Sequence, residues 1–200
     1  MRRHILYRKY GKRALGIILS GLGLLLLWPV MLIIAIIIKC DSRGTILFTQ
    51  KRLGRNHVHF TIYKFRTMEM NSYQKDKRYA YEGDPRITRV GTFLRKTSLD
   101  ELPQLFNILK GDMCFIGPRP LLVEAYDQYK DQILFHKRLK VTPGLFCLVD
   151  VSHRAAASKE LQFKLDSEYI DHISFLKDLY IFYKIIIVVI KQKNIYNSQT

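Results

Sequence analysis

The stretch ALGIILSGLGLLLLWPVMLIIAIII, running from Ala14 to Ile38, decides how the rest of the chain is read. It is about 25 residues without a charge, long enough to cross a bilayer as a helix. A secretory h-region is shorter and ends at a small-x-small cleavage site. Here Lys39-Cys40-Asp41-Ser42-Arg43 follows instead. Pro29, directly after Trp28, lacks the amide hydrogen that a continuous helix would use, so the segment is expected to bend there. Arg2, Arg3, Arg8, Lys9, Lys12 and Arg13 precede the run; Lys39, Arg43, Lys51, Arg52 and Arg55 follow it. Basic flanks tend to stay in the cytoplasm. A helix that breaks at Trp28-Pro29 and returns satisfies both flanks, whereas a kinked span leaves one outside. On these residues alone both geometries stand.

Outward from that run, the chain has 200 residues, enough for one compact domain beside a membrane element. Lys and Arg number 33 against 17 Asp and Glu, a formal charge of +16. Such an excess calls for a polyanionic partner: nucleic acid, an anionic membrane surface or phosphorylated substrates. The cations are dispersed, and no zinc finger, helix-turn-helix or aromatic RNA motif accompanies them. Nucleic acid is therefore set aside. Cys40, Cys114 and Cys147 are far apart and odd in number, which fits reduced thiols rather than a disulfide framework or zinc site.

Past the apolar run, Ile46-Leu47-Phe48 and Phe60-Thr61-Ile62-Tyr63 read as strands between polar turns. Residues Asn71 to Asp84 read as a polar loop or short helix. Ser98-Leu99-Asp100-Glu101 fits a capping box opening a helix through Leu102, Leu105, Phe106 and Leu109, with Gly111 as its stop. A second helix is expected from about Leu121 to Lys140. A last apolar helix, about Ser174 to Lys191, suits either the membrane interface or an ordinary core.

Asp100-Glu101 is the first candidate for chemistry. Acidic residues at a helix start are often there for the dipole alone. In this chain, however, Lys64, Arg66, Arg86, Arg89, Arg95, Lys96, Arg119, Arg138 and Arg154 crowd the same soluble portion. A carboxylate pair among phosphate-binding cations can hold Mg²⁺ and attack phosphorus. Arg119 stands out because Pro118 and Pro120 stiffen its backbone, which presents a planar guanidinium suited to a phosphate or a uracil edge.

These blocks resemble a known family. Lys64-Phe65-Arg66-Thr67-Met68, Asp84 to Gly91, Arg95 to Gln104, Gly111 to Pro120 and Thr142-Pro143-Gly144 are similar to the bacterial sugar transferases, the small monotopic polyprenyl-phosphate phosphoglycosyl transferases. The resemblance runs from about Tyr7 to Lys191. It implies a mostly helical α+β fold, with a re-entrant membrane hairpin broken at Pro29 (residues 1–43) and a small cytoplasmic catalytic domain with interfacial helices (residues 44–200). It implies that Asp100 is the nucleophile toward a UDP-sugar, releasing UMP, and that polyprenyl phosphate then takes the sugar phosphate. Glu101 would assist Asp100 or share Mg²⁺ with it. Lys64, Arg66, Arg95, Arg138 and Arg154 would contact substrate phosphates, and Pro118-Arg119-Pro120 the nucleotide. The implied setting is the bacterial inner membrane, held against anionic lipids, with a homodimer among the assemblies allowed.

Three departures accompany the likeness. Trp28 stands where the family usually has Ser before the proline, and Cys114 where it usually has Ser. After Pro143-Gly144-Leu145 the chain reads Phe146-Cys147-Leu148-Val149-Asp150-Val151-Ser152-His153-Arg154-Ala155, keeping a cation in Arg154 but lacking the usual glycine and amides. His153 reads as a surface residue. The altered segment leaves a rival expectation in place: a catalytically impaired, membrane-anchored binding partner within a glycan-assembly complex.

Overall fold

The structure, a computed structural model, describes residues 6–70, 81, 83–152 and 157–190. The apolar run becomes helix α1 (Lys12–Asp41), which a single wider turn, Tyr7–Gly11, leads into. Pro29 lies inside α1, and the helix is continuous on both sides of it. Gly16, Ser20, Ile34 and Ile38 are buried along one stripe, and Leu24, Leu27, Met31 and Ala35 fill the gaps between them against the domain. That three-to-four spacing is one face of a helix. The other face leaves Ile18, Leu22, Leu25, Leu26, Trp28, Ile33 and Ile36 bare. Among the described residues this is one helix long and apolar enough to cross a membrane.

Strand β1 (Leu47–Leu53) pairs antiparallel with β2 (His59–Phe65), in register from Leu47 opposite Phe65 to Leu53 opposite His59. The two strands extend the short pieces read from sequence. Helix α2 (Arg89–Thr97) follows, capped by the Thr88 hydroxyl, which accepts from the Gly91 amide. Next come a 3₁₀ turn (Leu99–Glu101) and helix α3 (Gln104–Lys110), closed by Gly111 at φ 102° as expected. Strands β3 (Cys114–Ile116) and β4 (Gly144–Phe146) run parallel, and helices α4 (Ala125–Tyr129) and α5 (Ile133–Arg138) fall in the crossover between them. A β-carbon on Gly144 would sit 2.1 Å from the Gly117 amide nitrogen, so this pairing admits only glycine. Helices α6 (Leu148–Ser152), α7 (Lys159–Asp171) and α8 (Phe175–Ile190) complete the described chain.

Two expectations need revision. No capping box forms at Ser98. Its backbone is left-handed (φ 59°, ψ 17°), it ends α2, and its hydroxyl caps neither neighbour. Asp100 and Glu101 therefore lie on a tight turn, and the regular helix begins only after Pro103. The helix expected over 121–140 is two short ones, because Gln132 turns extended (φ −94°, ψ 123°). The last helix has a buried side with Ile181 and Ile185, as a core helix requires, and a bare apolar side with Leu176, Leu179, Tyr183 and Ile186.

The core is divided among α1 and the domain. Phe60, Ile62, Leu105, Ile108 and Met113 pack with Leu24 and Leu27. Phe65 and Leu94 pack with Ile34 and Ile38, and Leu99 and Leu102 lean on that cluster from the turn between α2 and α3. Polar groups fasten both ends of α1. At its start, Lys12 donates to the Ile116 carbonyl (2.8 Å) and the Tyr169 hydroxyl (2.6 Å) and pairs with Asp178 of α8. At its end, buried Arg66 donates to the carbonyls of Ser42 and Arg43.

Candidate active site

Asp100 and Glu101 are aimed by what lies on either side of them. Ser98 reverses the chain, and Leu99 and Leu102 pack, partly buried, against the Ile34–Ile38–Phe65–Leu94 cluster, while Glu101 between them reaches β2. Asn107, fully buried on α3, fixes that strand: its Oδ1 accepts from the Tyr63 amide (3.1 Å) and its Nδ2 donates to the Thr61 carbonyl (2.7 Å). One amide side chain thus does for the free edge of β2 what a third strand would do. Lys64, the next residue along, reaches Glu101 at 2.6 Å.

From Glu101 the charges continue outward. Arg119 lies 3.6 Å from Glu101 and 3.4 Å from Asp150. Asp150 in turn accepts from the Cys147 amide and thiol, both at 3.0 Å. Two other arginines hold the Pro118-Arg119-Pro120 backbone: Arg138 donates to the Arg119 carbonyl (2.6 Å) and Arg52 to the Pro120 carbonyl (3.3 Å). Arg138 is itself fixed by Asp166 (2.9 Å), both nearly fully buried. The Arg119 side chain remains 47% exposed, so its fork can still meet a ligand.

The electrostatics single out Asp100. Burial pushes its carboxyl up to about 6, with neighbouring Glu101 acting in the same direction while Lys64, Arg95 and Arg119 oppose the rise. A carboxylate partly shielded from water and faced by three cations is more basic than usual and suited to attack an electrophilic phosphorus. Asp166 is likewise raised to about 6 by burial, with Arg138 opposing. Asp84 is held low, chiefly by hydrogen bonds from Arg86.

The structure thus gathers Lys64, Arg95, Asp100, Glu101 and Arg119 into one electrostatic unit. Arg95 also donates through Nε to the Thr67 hydroxyl (2.8 Å). Arg66 and Arg138, at 4% and 3% exposure, instead grip backbone carbonyls, Arg66 those ending α1 and Arg138 that of Arg119. Arg154 and His153 lie outside the described residues. Asp150, Asn107, Arg52 and Asp166 did not emerge from sequence. Asp150 sits within the segment that departs from the family pattern, where no spacing rule marks it. Among the described residues no three His, Cys, Asp or Glu side chains converge as a ready-made metal cage. Asp100 and Glu101 nevertheless fit Mg²⁺, which commonly takes one or two carboxylates and completes its shell with water and substrate phosphates.

A model of the bacterial sugar transferase family matches residues 7–192. The chain belongs to the bacterial sugar transferases. It is 41% identical over 179 residues to a UDP-N-acetylgalactosamine-undecaprenyl-phosphate N-acetylgalactosaminephosphotransferase of Aeromonas hydrophila, covering 88% of this chain and 42% of that protein. It is 44% identical over 135 residues to the UDP-glucose:undecaprenyl-phosphate glucose-1-phosphate transferase of Escherichia coli, covering 67% of this chain and 29% of that one. The exopolysaccharide production protein ExoY of Sinorhizobium fredii is 36% identical over 190 residues, with 88% and 83% covered. The chain therefore spans about two fifths of the first of these relatives but most of the third. The Aeromonas and Escherichia relatives are both named for transfer to undecaprenyl phosphate.

Proposed function

We propose that the chain transfers a sugar 1-phosphate from a UDP-sugar to polyprenyl phosphate, releasing UMP. The carrying observation is Asp100, desolvated yet ringed by Lys64, Arg95 and Arg119. In the first step an Asp100 oxygen attacks the phosphorus bonded to the sugar. The bond from that phosphorus to the UMP oxygen breaks, and an aspartyl-phosphosugar remains. In the second step an oxygen of polyprenyl phosphate attacks the same phosphorus, the aspartyl bond breaks, and Asp100 is regenerated. Lys64 and Arg119, both paired to Glu101, can turn from that carboxylate toward the substrate phosphates. Mg²⁺ held by Asp100 and Glu101 would neutralise phosphate charge. Arg138 and Arg52 keep Arg119 in place from behind.

The same reading puts the protein on the bacterial cytoplasmic membrane, with the domain on the cytoplasmic face where UDP-sugars are found. In its favour, both ends of α1 are fastened to one domain, so both basic flanks belong on one side of the bilayer. A bend at Pro29 within the bilayer would accommodate this. Lys and Arg near anionic lipid add about 1 kcal/mol each.

The test is UMP release by detergent-solubilised protein with Mg²⁺, undecaprenyl phosphate and a panel of UDP-sugars. We expect release with at least one donor and none from Asp100→Asn. Silence across a broad panel, beside an active relative, would instead favour a non-catalytic binding partner.

A further inference from the structure

The segment that departs from the family pattern carries a buried acid, Asp150, to which the two chemical steps give no part. Asp150 lies in the first turn of α6, just after β4. Its place relative to Arg119 is set by backbone. The Gly117 amide donates to the Phe146 carbonyl and the Gly144 amide to the Pro118 carbonyl, both at 2.9 Å. The chain entering Pro118-Arg119-Pro120 and the chain entering α6 are thus stitched side by side. The two oxygens of Asp150 have different partners. Oδ2 accepts from the Cys147 amide and thiol, both at 3.0 Å, which satisfies the opening of α6. Oδ1 is not needed for that, and Arg119 Nη1 lies 3.4 Å from it.

Arg119 is therefore shared between two acids. Nη1 faces Asp150 at 3.4 Å and Nη2 faces Glu101 at 3.6 Å. Both are longer than the about 2.7–2.9 Å of a closed guanidinium–carboxylate bond, so a phosphate can draw one arm away at small cost. The acids differ in which arm they release. Glu101 is also held by Lys64 at 2.6 Å, and it stands beside Asp100, where the donor phosphates would arrive. Asp150 cannot follow Arg119: two donors pin its Oδ2, and its own amide donates to the Cys147 carbonyl (3.1 Å). The charge on Arg119 is favoured first by Asp150, with burial opposing, and only then by Glu101.

We propose that Asp150 is a positioning residue: it holds one arm of Arg119, so that the other swings from Glu101 to a phosphate of the nucleotide donor while the guanidinium stays beside Asp100. The altered segment then completes the site rather than impairing it. The proposal takes its ligand from the transfer reaction set out above, and the experiment separates the two. Full-length protein in detergent is titrated calorimetrically with UMP and Mg²⁺, as wild type, Asp150→Asn, Arg119→Met and the double variant. UMP binding requires no turnover. Asp150→Asn should weaken it about tenfold where Arg119 is present, the scale of one charge-assisted hydrogen bond, and less than about twofold in the Arg119→Met background. Equal losses in both backgrounds would mean that Asp150 only caps α6, and tighter binding in Asp150→Asn that it competes for Arg119; either result overturns the proposal, as does no change at all. UMP release by wild type from the panel of UDP-sugars tests the reaction by itself. Coupling without release removes the reaction and leaves the positioning; release without coupling does the reverse.

If Asp150→Asn does not fold, wild type alone decides. The two Nη resonances of Arg119 are assigned by their loss in Arg119→Lys. On addition of UMP and Mg²⁺ one should shift while the other stays in place. Movement of both, or their collapse into one averaged signal, overturns the proposal.

Discussion

Replacing Asp100 by Asn should abolish turnover and at the same time make the resting protein more stable. Burial raises this carboxyl from 3.8 to about 6, so at neutral pH the folded state carries a charge it would rather not hold. Two units correspond to about 3 kcal/mol. Because Glu101 and the nearby cations act on the same carboxyl in opposite directions, about 1–3 kcal/mol is the reasonable expectation, or roughly 2–10 °C in melting temperature for a chain of this size. The sign follows from linkage. A raised carboxyl destabilises the fold fully above about pH 6, progressively less as pH falls toward 3.8, and not at all below that. Melting of wild type and Asp100→Asn, with EDTA in one detergent at one scan rate, should therefore show a gap at pH 7.5 that closes by pH 4. No gap, or a gap that persists unchanged at pH 4, would refute the account of Asp100 as a desolvated charge.

Lys64→Met removes the cation that opposes Asp100's rise most, so the acid limb of the pH–rate profile should move above pH 6 along with a fall in kcat; a limb that stays put would argue against their coupling. Arg138→Met leaves Asp166 buried and unpaired, at a cost of about 3–5 kcal/mol by denaturant titration. The double variant Arg138→Met/Asp166→Leu should regain most of that stability yet keep a raised KM for the nucleotide-sugar, because the Arg119 carbonyl has lost its donor. Gly91→Ala would push a β-carbon to 2.1 Å from the Thr67 carbonyl; since Thr67 also receives Arg95, we expect lower melting temperature and reduced UMP release together. Asp178→Ala strands Lys12 and should lower the melting temperature without shifting the pH–rate profile.

The long apolar helix, strands β1 and β2 and the Gly111 stop were legible because each is a local matter of periodicity or composition, whereas the three-residue strands β3 and β4 are too short to show a period. Ser98 was not legible either. Its Ser-x-x-Glu spacing satisfies the capping rule, but Ser98 takes a left-handed backbone that lets Leu99 and Leu102 pack against the Ile34–Ile38–Phe65 cluster, a tertiary contact that the spacing does not reveal. Arg66 and Arg138 looked like phosphate contacts because a cation near a motif carries no mark of direction; only the fold shows them facing carbonyls. Asp150 was hidden for the opposite reason. Its partner, Arg119, lies 31 residues away in sequence, and nothing local announces the pair.

The stripe along α1 has a consequence for how this protein comes to exist. Leu24, Leu27, Ile34 and Ile38 complete clusters whose buried members outside α1 lie beyond residue 58, so one face of the helix is interior to the domain. Residues 44–200 made alone would present Phe60, Ile62, Phe65, Leu94, Leu105 and Ile108 to water, and we would expect them to aggregate rather than yield a soluble enzyme. During synthesis the helix emerges before those partners and must wait for them. On the membrane location proposed above, a bilayer that sheltered the helix in the meantime would act as a chaperone for the domain.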